Sequence, residues 1–219
     1  MTGRDETTLV AYLLYDRFTA LDVTGPHEVL NSVPGIESVF VGEVAGPYRN
    51  ESDTLSMVAD RSLEEVTSAD ILVVPGGYGT RDLLAHEPLL DWIRAVDKTT
   101  TWTTSVCTGA LLLAAAGLLD NRPATTHWLA RETLADLGAL PAEERVVFDG
   151  KYVTGAGVSA GIDMALTLVT EIYGAEVAQA VQLGIEYDPQ PPHDAGSPDK
   201  APGQIVGMVS AVFTAREQG

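Results

Sequence analysis

The sequence predicts an α/β fold: a mainly parallel β-sheet covered by helices on both faces. Two observations carry that expectation. Apolar, β-rich runs recur along the chain, and helical patterns of roughly ten or more residues lie between them, the arrangement of βαβ units. A third bears on domain count: no repeat or linker divides the 219 residues, which suffice for one sizeable core but are few for two.

Taken in order, the first strand is read in LVAYLLY (9–15), followed by a helix from Asp22 to Ser32. SVFVGEVA (38–45) and DILVVPGG (70–77) give the next strands, and Leu89 to Val96 the next helix. TTWTTSV (100–106) runs into a helix from Thr108 to Leu118, and another pattern covers Trp128 to Leu137. RVVFDGKYVTG (145–155) reads as a hairpin because Asp149-Gly150 separates two short β runs, and Ile162 to Tyr173 is helical. The stretch DPQPPHDAGSPDKAPG (188–203) is too rich in proline and glycine for a regular element. It is expected to be an ordered loop, a candidate lid or dimer contact, before a C-terminal helix over 204–217 whose run IVGMVSAVF has apolar residues to bury. A single domain over residues 1–219 is expected.

Thirteen basic residues against 31 acidic ones give a formal charge of −18. Such a surface repels a phosphate backbone, so nucleic acid is not expected as a partner. Lysine is scarce, with only Lys98, Lys151 and Lys200, and a dense acidic surface of this kind resembles adaptation to high salt. The N-terminus lacks a basic region, and the apolar runs Leu9–Tyr15 and Ala110–Ala116 are too short to span a bilayer, so neither signal peptide nor membrane contact is expected. Cys107 is the sole cysteine, which leaves a free thiol suited to a reducing cytoplasm. The four histidines, His27, His86, His127 and His193, show no metal-ligand spacing, and no metal is expected.

Cys107 falls where the TTSV strand meets the TGALLLAAAGLL helix, the edge of an open α/β sheet where ligands sit. The unpaired N–H groups of a first helical turn would favour its thiolate, although a lone cysteine is also a common core residue. Gly76-Gly77 at the end of ILVVP let backbone N–H groups approach a reacting atom, and Asp22 at the end of the segment after the first strand offers a carboxyl to the same edge. Asp22 can equally be a helix cap. A rival motif, Gly157-Val158-Ser159-Ala160-Gly161, fits the G-x-S-x-G of serine hydrolases, with His193 later in the chain. Ser159 is read instead as a helix-start residue, since only about sixty residues follow it and the pattern is common by chance.

Together Cys107, Gly76-Gly77 and Asp22 resemble the ThiJ/PfpI superfamily, related to the class I glutamine amidotransferases, and within it the isocyanide hydratases. The matching stretches are LDVTGPHEVL (21–30), VPGGYGT (74–80), TSVCTGALLLAAAGLLDNRPATTHW (104–128), VTGAGVSAGIDMALTL (153–168) and VQLGIEYDPQPPHDAGSPD (181–199). The resemblance implies a flavodoxin-like sandwich with the cysteine on a strand-to-helix nucleophile elbow, a homodimer, and no cofactor. It implies Cys107 as nucleophile, Asp22 as acidic partner, and Thr108 beside them. It further implies an oxyanion or substrate-binding role for Gly76, Gly77 and Tyr78 and a supporting role for His127, which can also cap the Trp128 helix. The implied activity is hydration of a small isocyanide to an N-substituted formamide through a covalent thioimidate.

Residue by residue, PfpI-type peptidases carry histidine directly after the cysteine, where this chain has Thr108. Regulators with an ATTHW block append helix-turn-helix units, which are not expected in this acidic chain, and a stand-alone ligand sensor stays open as an alternative. Glyoxalase-type members use glutamate in the place of Asp22. Glyoxalase or deglycase action on 2-oxoaldehydes, and a non-enzymatic redox sensor or chaperone, remain as alternatives. The chain departs from the hydratase pattern at Tyr78, Ala110 and Ala156, where threonine, serine and glycine are usual.

Overall fold

The computed structural model describes residues 7–217, without the side chain of Glu217. The chain divides into two compact units, residues 1–185 and 186–219.

The first unit begins with β1 (Thr8–Leu13), α1 (Ala20–Leu30) and β2 (Ile36–Gly42). A small hairpin, β3 (Gly46–Arg49) and β4 (Ser56–Ala59), and the short β5 (Arg61–Ser62) follow. Next come β6 (Ile71–Val74), α2 (Thr80–Leu83), α3 (Glu87–Asp97), β7 (Trp102–Val106) and α4 (Gly109–Ala115). The remainder holds β8 (Pro123–Ala124), a 3₁₀ turn (Trp128–Ala130), α5 (Arg131–Asp136), β9 (Leu140–Pro141), β10 (Val146–Asp149), β11 (Tyr152–Gly155), α6 (Ala160–Tyr173) and α7 (Ala175–Gly184).

Seven strands form one sheet in the order β10-β11-β7-β6-β1-β2-β5. Every neighbouring pair is parallel except β10 with β11, the hairpin that turns at Gly150, whose φ is +61°. The expected α/β class and mainly parallel sheet are therefore present. All four residues of β6 and the last four of β1 are buried, as strands sandwiched between helical layers must be. The helices pack as two groups against the sheet, α1 with α6 and α7, and α4 with α2, α3 and α5. In α1 and α6 close approach depends on small residues: a Cβ on Gly161 would lie 3.1 Å from both Pro26 Cδ and Val106 Cγ2. Strand order reverses between β1 and β6, and there the carboxyl ends of the strands open a crevice.

The sequence reading places the sheet strands other than β5, and α1, α3, α4, α5 and α6, within a few residues of their observed bounds. It does not contain α2, α7, the β3–β4 hairpin or the two-residue strands β5, β8 and β9. In α7 only Ala178 and Val181 are buried, so AEVAQAVQLG carries almost no apolar stripe to read. The second unit comprises the proline-rich segment, without helix or strand from 188 to 202, and α8 (Gly203–Glu217). No helix among the described residues is long and apolar enough to cross a membrane.

Candidate active site

Three strand ends converge at the crevice. β7 ends at Val106, and Cys107 follows with φ +56°, a conformation that non-glycine residues seldom adopt. The surroundings hold it there. Its N–H is shared between the carbonyls of Gly155 and Ala156 at 3.0 and 2.9 Å, and its carbonyl accepts from Thr126 Oγ1 at 2.8 Å. The next turn is pressed onto the end of β6, since a Cβ on Gly109 would stand 2.1 Å from the Val74 carbonyl. The side chain of Cys107 is thereby lodged in the crevice, with the residue only 5% exposed.

Asp22, in the first turn of α1, is fully buried. Its Oδ2 accepts from the Gly76 N–H at 2.9 Å, its carboxyl lies within hydrogen-bonding reach of Cys107, and Oδ1 has no other partner. Gly76 has to be glycine: a Cβ there would meet Thr108 N at 2.5 Å, Thr108 Oγ1 at 2.7 Å and Asp22 Oδ2 at 2.9 Å. Gly77 (φ +138°) forms a bridge with Phe18, and its N–H donates to Thr108 Oγ1 at 2.9 Å. Both glycine N–H groups are thus engaged by side chains. The N–H of Thr108 donates to Cys107 instead, as does the N–H of Val158.

Burial dominates the electrostatics. Desolvation raises the Asp22 carboxyl well above the ordinary carboxylate range, and the nearby charge of Glu51 pushes the same way, against the Gly76 and Cys107 hydrogen bonds. Burial likewise raises the Cys107 thiol, with Asp22 adding to the effect and the N–H groups of Val158 and Thr108 opposing it. Burial thus opposes the thiolate that the sequence reading expects from the helix start, while the N–H groups of Val158 and Thr108 favour it. The helix that follows is only seven residues long. In this dry crevice Cys107 and Asp22 together hold at most one negative charge.

His127 lies at the edge of the same turn. Its Nδ1 accepts from the Leu129 N–H at 3.4 Å, capping the 3₁₀ turn, and Gly157 packs against its ring so closely that a Cβ would be 2.8 Å from Cδ2. Desolvation, with Arg81 nearby, pushes its pKa down to about 4, so the ring is neutral near pH 7. Tyr78 is half-exposed just beyond Gly77. Ser159 starts α6 as expected, and its hydroxyl accepts from Arg145 Nη2 at 3.1 Å. Among the described residues no group of three or more His, Cys, Asp or Glu side chains is placed to hold a metal ion.

Sequence reasoning misses three participants. The N–H of Val158 has no side-chain signature, although its φ of +20° marks a forced turn. Tyr15 is buried and donates its hydroxyl to the Pro75 carbonyl at 2.7 Å, fixing the β6 end. Glu51 approaches only because residue 50 bridges Phe18.

A buried thiol on a strained strand-to-helix turn, paired with a buried carboxyl at the switch point of a parallel sheet, defines a cysteine-elbow α/β protein. The chain belongs to the DJ-1/PfpI family, whose model matches residues 8–171. It is 44% identical over 197 residues to the isonitrile hydratase of Pseudomonas putida, covering 90% of this chain and 86% of that protein. The crystal structure of a ThiJ/PfpI family protein from Pseudomonas syringae superposes with a TM-score of 0.92 at 34% identity, covering 97% of this chain and 88% of that one. DJ-1beta of Drosophila melanogaster shares the fold, with a TM-score of 0.74 at 21% identity over 82% of this chain and 98% of its own.

Proposed function

We propose that the protein is a cysteine-dependent isocyanide (isonitrile) hydratase, a hydro-lyase that converts a small isocyanide into an N-substituted formamide. The observation that carries this reading is the buried Cys107–Asp22 pair, in which burial raises the carboxyl well above the ordinary carboxylate range and so favours its keeping a proton. Isocyanide hydration needs a nucleophile and a proton at one and the same carbon. The pair supplies both.

The Gly76 N–H occupies Oδ2 and leaves Oδ1 for the proton. Cys107 sulfur attacks the terminal carbon, Asp22 delivers its proton to that carbon, and the thiol proton replaces it on the carboxyl. The product of this step is a thioimidate, with an S–C bond and a C–H bond formed across the former isocyanide carbon. Water then adds to the carbon with its proton passed through Asp22, and cleavage of the C–S bond releases the formamide and regenerates the thiol. The N–H groups of Thr108 and Val158 stabilise sulfur whenever it carries charge. Gly76 and Gly77 shape the wall beside the reacting carbon and set Asp22 and Thr108, rather than acting as free oxyanion donors. Tyr78 borders the substrate, and His127 supports the Gly157–Val158 turn.

Attack, protonation and hydration are all carried by thiol, carboxyl and water, so the reaction calls for no metal or organic cofactor. The same reading takes the protein as a cytoplasmic homodimer acting on a small molecule. Formamide release from cyclohexyl isocyanide, measured beside methylglyoxal consumption, tests it. Turnover of the isocyanide with no loss of methylglyoxal is expected, and the converse would make the protein a glyoxalase.

A further inference from the structure

Beyond the thiol and its carboxyl partner, a third acid is tied to the start of α1. Glu51 follows β3, and its N–H donates to the Phe18 carbonyl at 3.0 Å. Its Oε2 accepts from Thr19 Oγ1 at 2.8 Å. Thr19 is 9% exposed and is the residue from which α1 starts. Its N–H donates to the Gly76 carbonyl at 2.8 Å, and its carbonyl accepts the Asp22 N–H at 3.1 Å. One residue thus ties the β6 end, the start of α1 and the Glu51 carboxylate together.

We propose that Glu51 is a positioning residue of this site, which anchors through Thr19 the turn that presents Asp22 and holds a negative charge beside the Cys107–Asp22 pair. The assignment rests on the hydratase reading for the role of Asp22, but not for the electrostatic coupling. Desolvation is the largest influence on Asp22 and Cys107, and Glu51 raises both, as it does Tyr15. The remaining groups around the pair are the Tyr15 hydroxyl, held by the Pro75 carbonyl; Arg81 on α2, which acts on Tyr15 and His127; and His127 itself, neutral near pH 7. Glu51 is partly exposed, so its field is open to screening by salt.

The test reads the thiol directly. Cys107 is the only cysteine, so the rate of iodoacetamide alkylation against pH reports its ionisation without any substrate. Glu51→Gln keeps an oxygen for the Thr19 hydroxyl and removes the charge. It is expected to move the alkylation profile to lower pH, seen as about three- to tenfold faster reaction at a fixed pH on the rising limb, where one pH unit is a factor of ten. Glu51→Asp restores the charge and most of the original profile, and molar KCl moves the wild-type profile towards that of Glu51→Gln. A profile in Glu51→Gln that superimposes on wild type overturns the proposal. Alkylation that shifts as expected in a protein with no isocyanide turnover leaves Glu51 in this role and removes the hydratase reading instead.

Discussion

The Asp22 carboxyl sits in the interior, where removal from water raises it well above the ordinary carboxylate range. A carboxyl raised in the folded state favours the native protein below its unfolded pKa and loses that contribution as pH rises towards the folded value. Asp22→Asn keeps an acceptor for the Gly76 N–H, so its thermal midpoint at pH 8 should exceed that of wild type, and the two should converge at about pH 4 and below, where free aspartate is protonated too. Formamide turnover in the same variant should fall by about 10²–10⁴-fold, the usual size of a general acid–base contribution. Equal midpoints at pH 8 would mean that Asp22 is ionised at rest. Gly76→Ala should also abolish turnover, measured with the same assay, because the new methyl displaces Thr108 and Asp22 together. Cys107, Asp22 and the two glycines are legible in the sequence because each ends a readable strand or opens the segment after one. Val158 and Glu51 are not. One acts through a main-chain N–H, and the other arrives by a bridge between Phe18 and Asn50 that no local pattern announces.

Among the elements, α1 and α6 matter most, since α1 carries Asp22 and α6 follows the turn that carries the Val158 donor. Their approach is set by Gly25, where a Cβ would lie 3.1 Å from Ile162 Cγ1, and by Gly161 against Pro26 and Val106. Gly161→Leu forces the two helices apart. The expected cost is about 1–3 kcal/mol, the usual range for overpacking, read by urea denaturation, with turnover lost by more than the stability change explains. Unaltered activity in a folded Gly161→Leu protein would detach the site from this helix pair. The centre of the sheet was legible because β6 and most of β1 are continuous apolar runs, and the β10–β11 hairpin because Asp149-Gly150 signals its turn. In contrast, β3 and β4 alternate half-buried and largely exposed residues around a turn at Asp53 (φ +55°), and short exposed strands leave little apolar pattern.

Over the whole chain the acids outnumber the bases by 31 to 13. Most ion pairs among the described residues are exposed, such as Arg49 with Asp53 at 3.1 Å and Lys200 with Asp194 at 2.8 Å, and exposed pairs add little stability. Self-repulsion of the surplus acids is therefore the larger global effect, and salt should relieve it. The thermal midpoint is expected to rise from low to molar KCl; a flat or falling midpoint would refute salt adaptation. That charge is read directly from composition, because it is a sum over the chain that no tertiary contact alters.

The central claim, that a buried thiol and a protonated carboxyl together hydrate an isocyanide, is tested most directly by formamide production from cyclohexyl isocyanide by wild type and Cys107→Ala, in low and in molar KCl. Wild type should release formamide and the folded variant none above the uncatalysed rate. Formamide release that survives the loss of the only thiol, or its absence from folded wild type at both salt concentrations, would contradict the account.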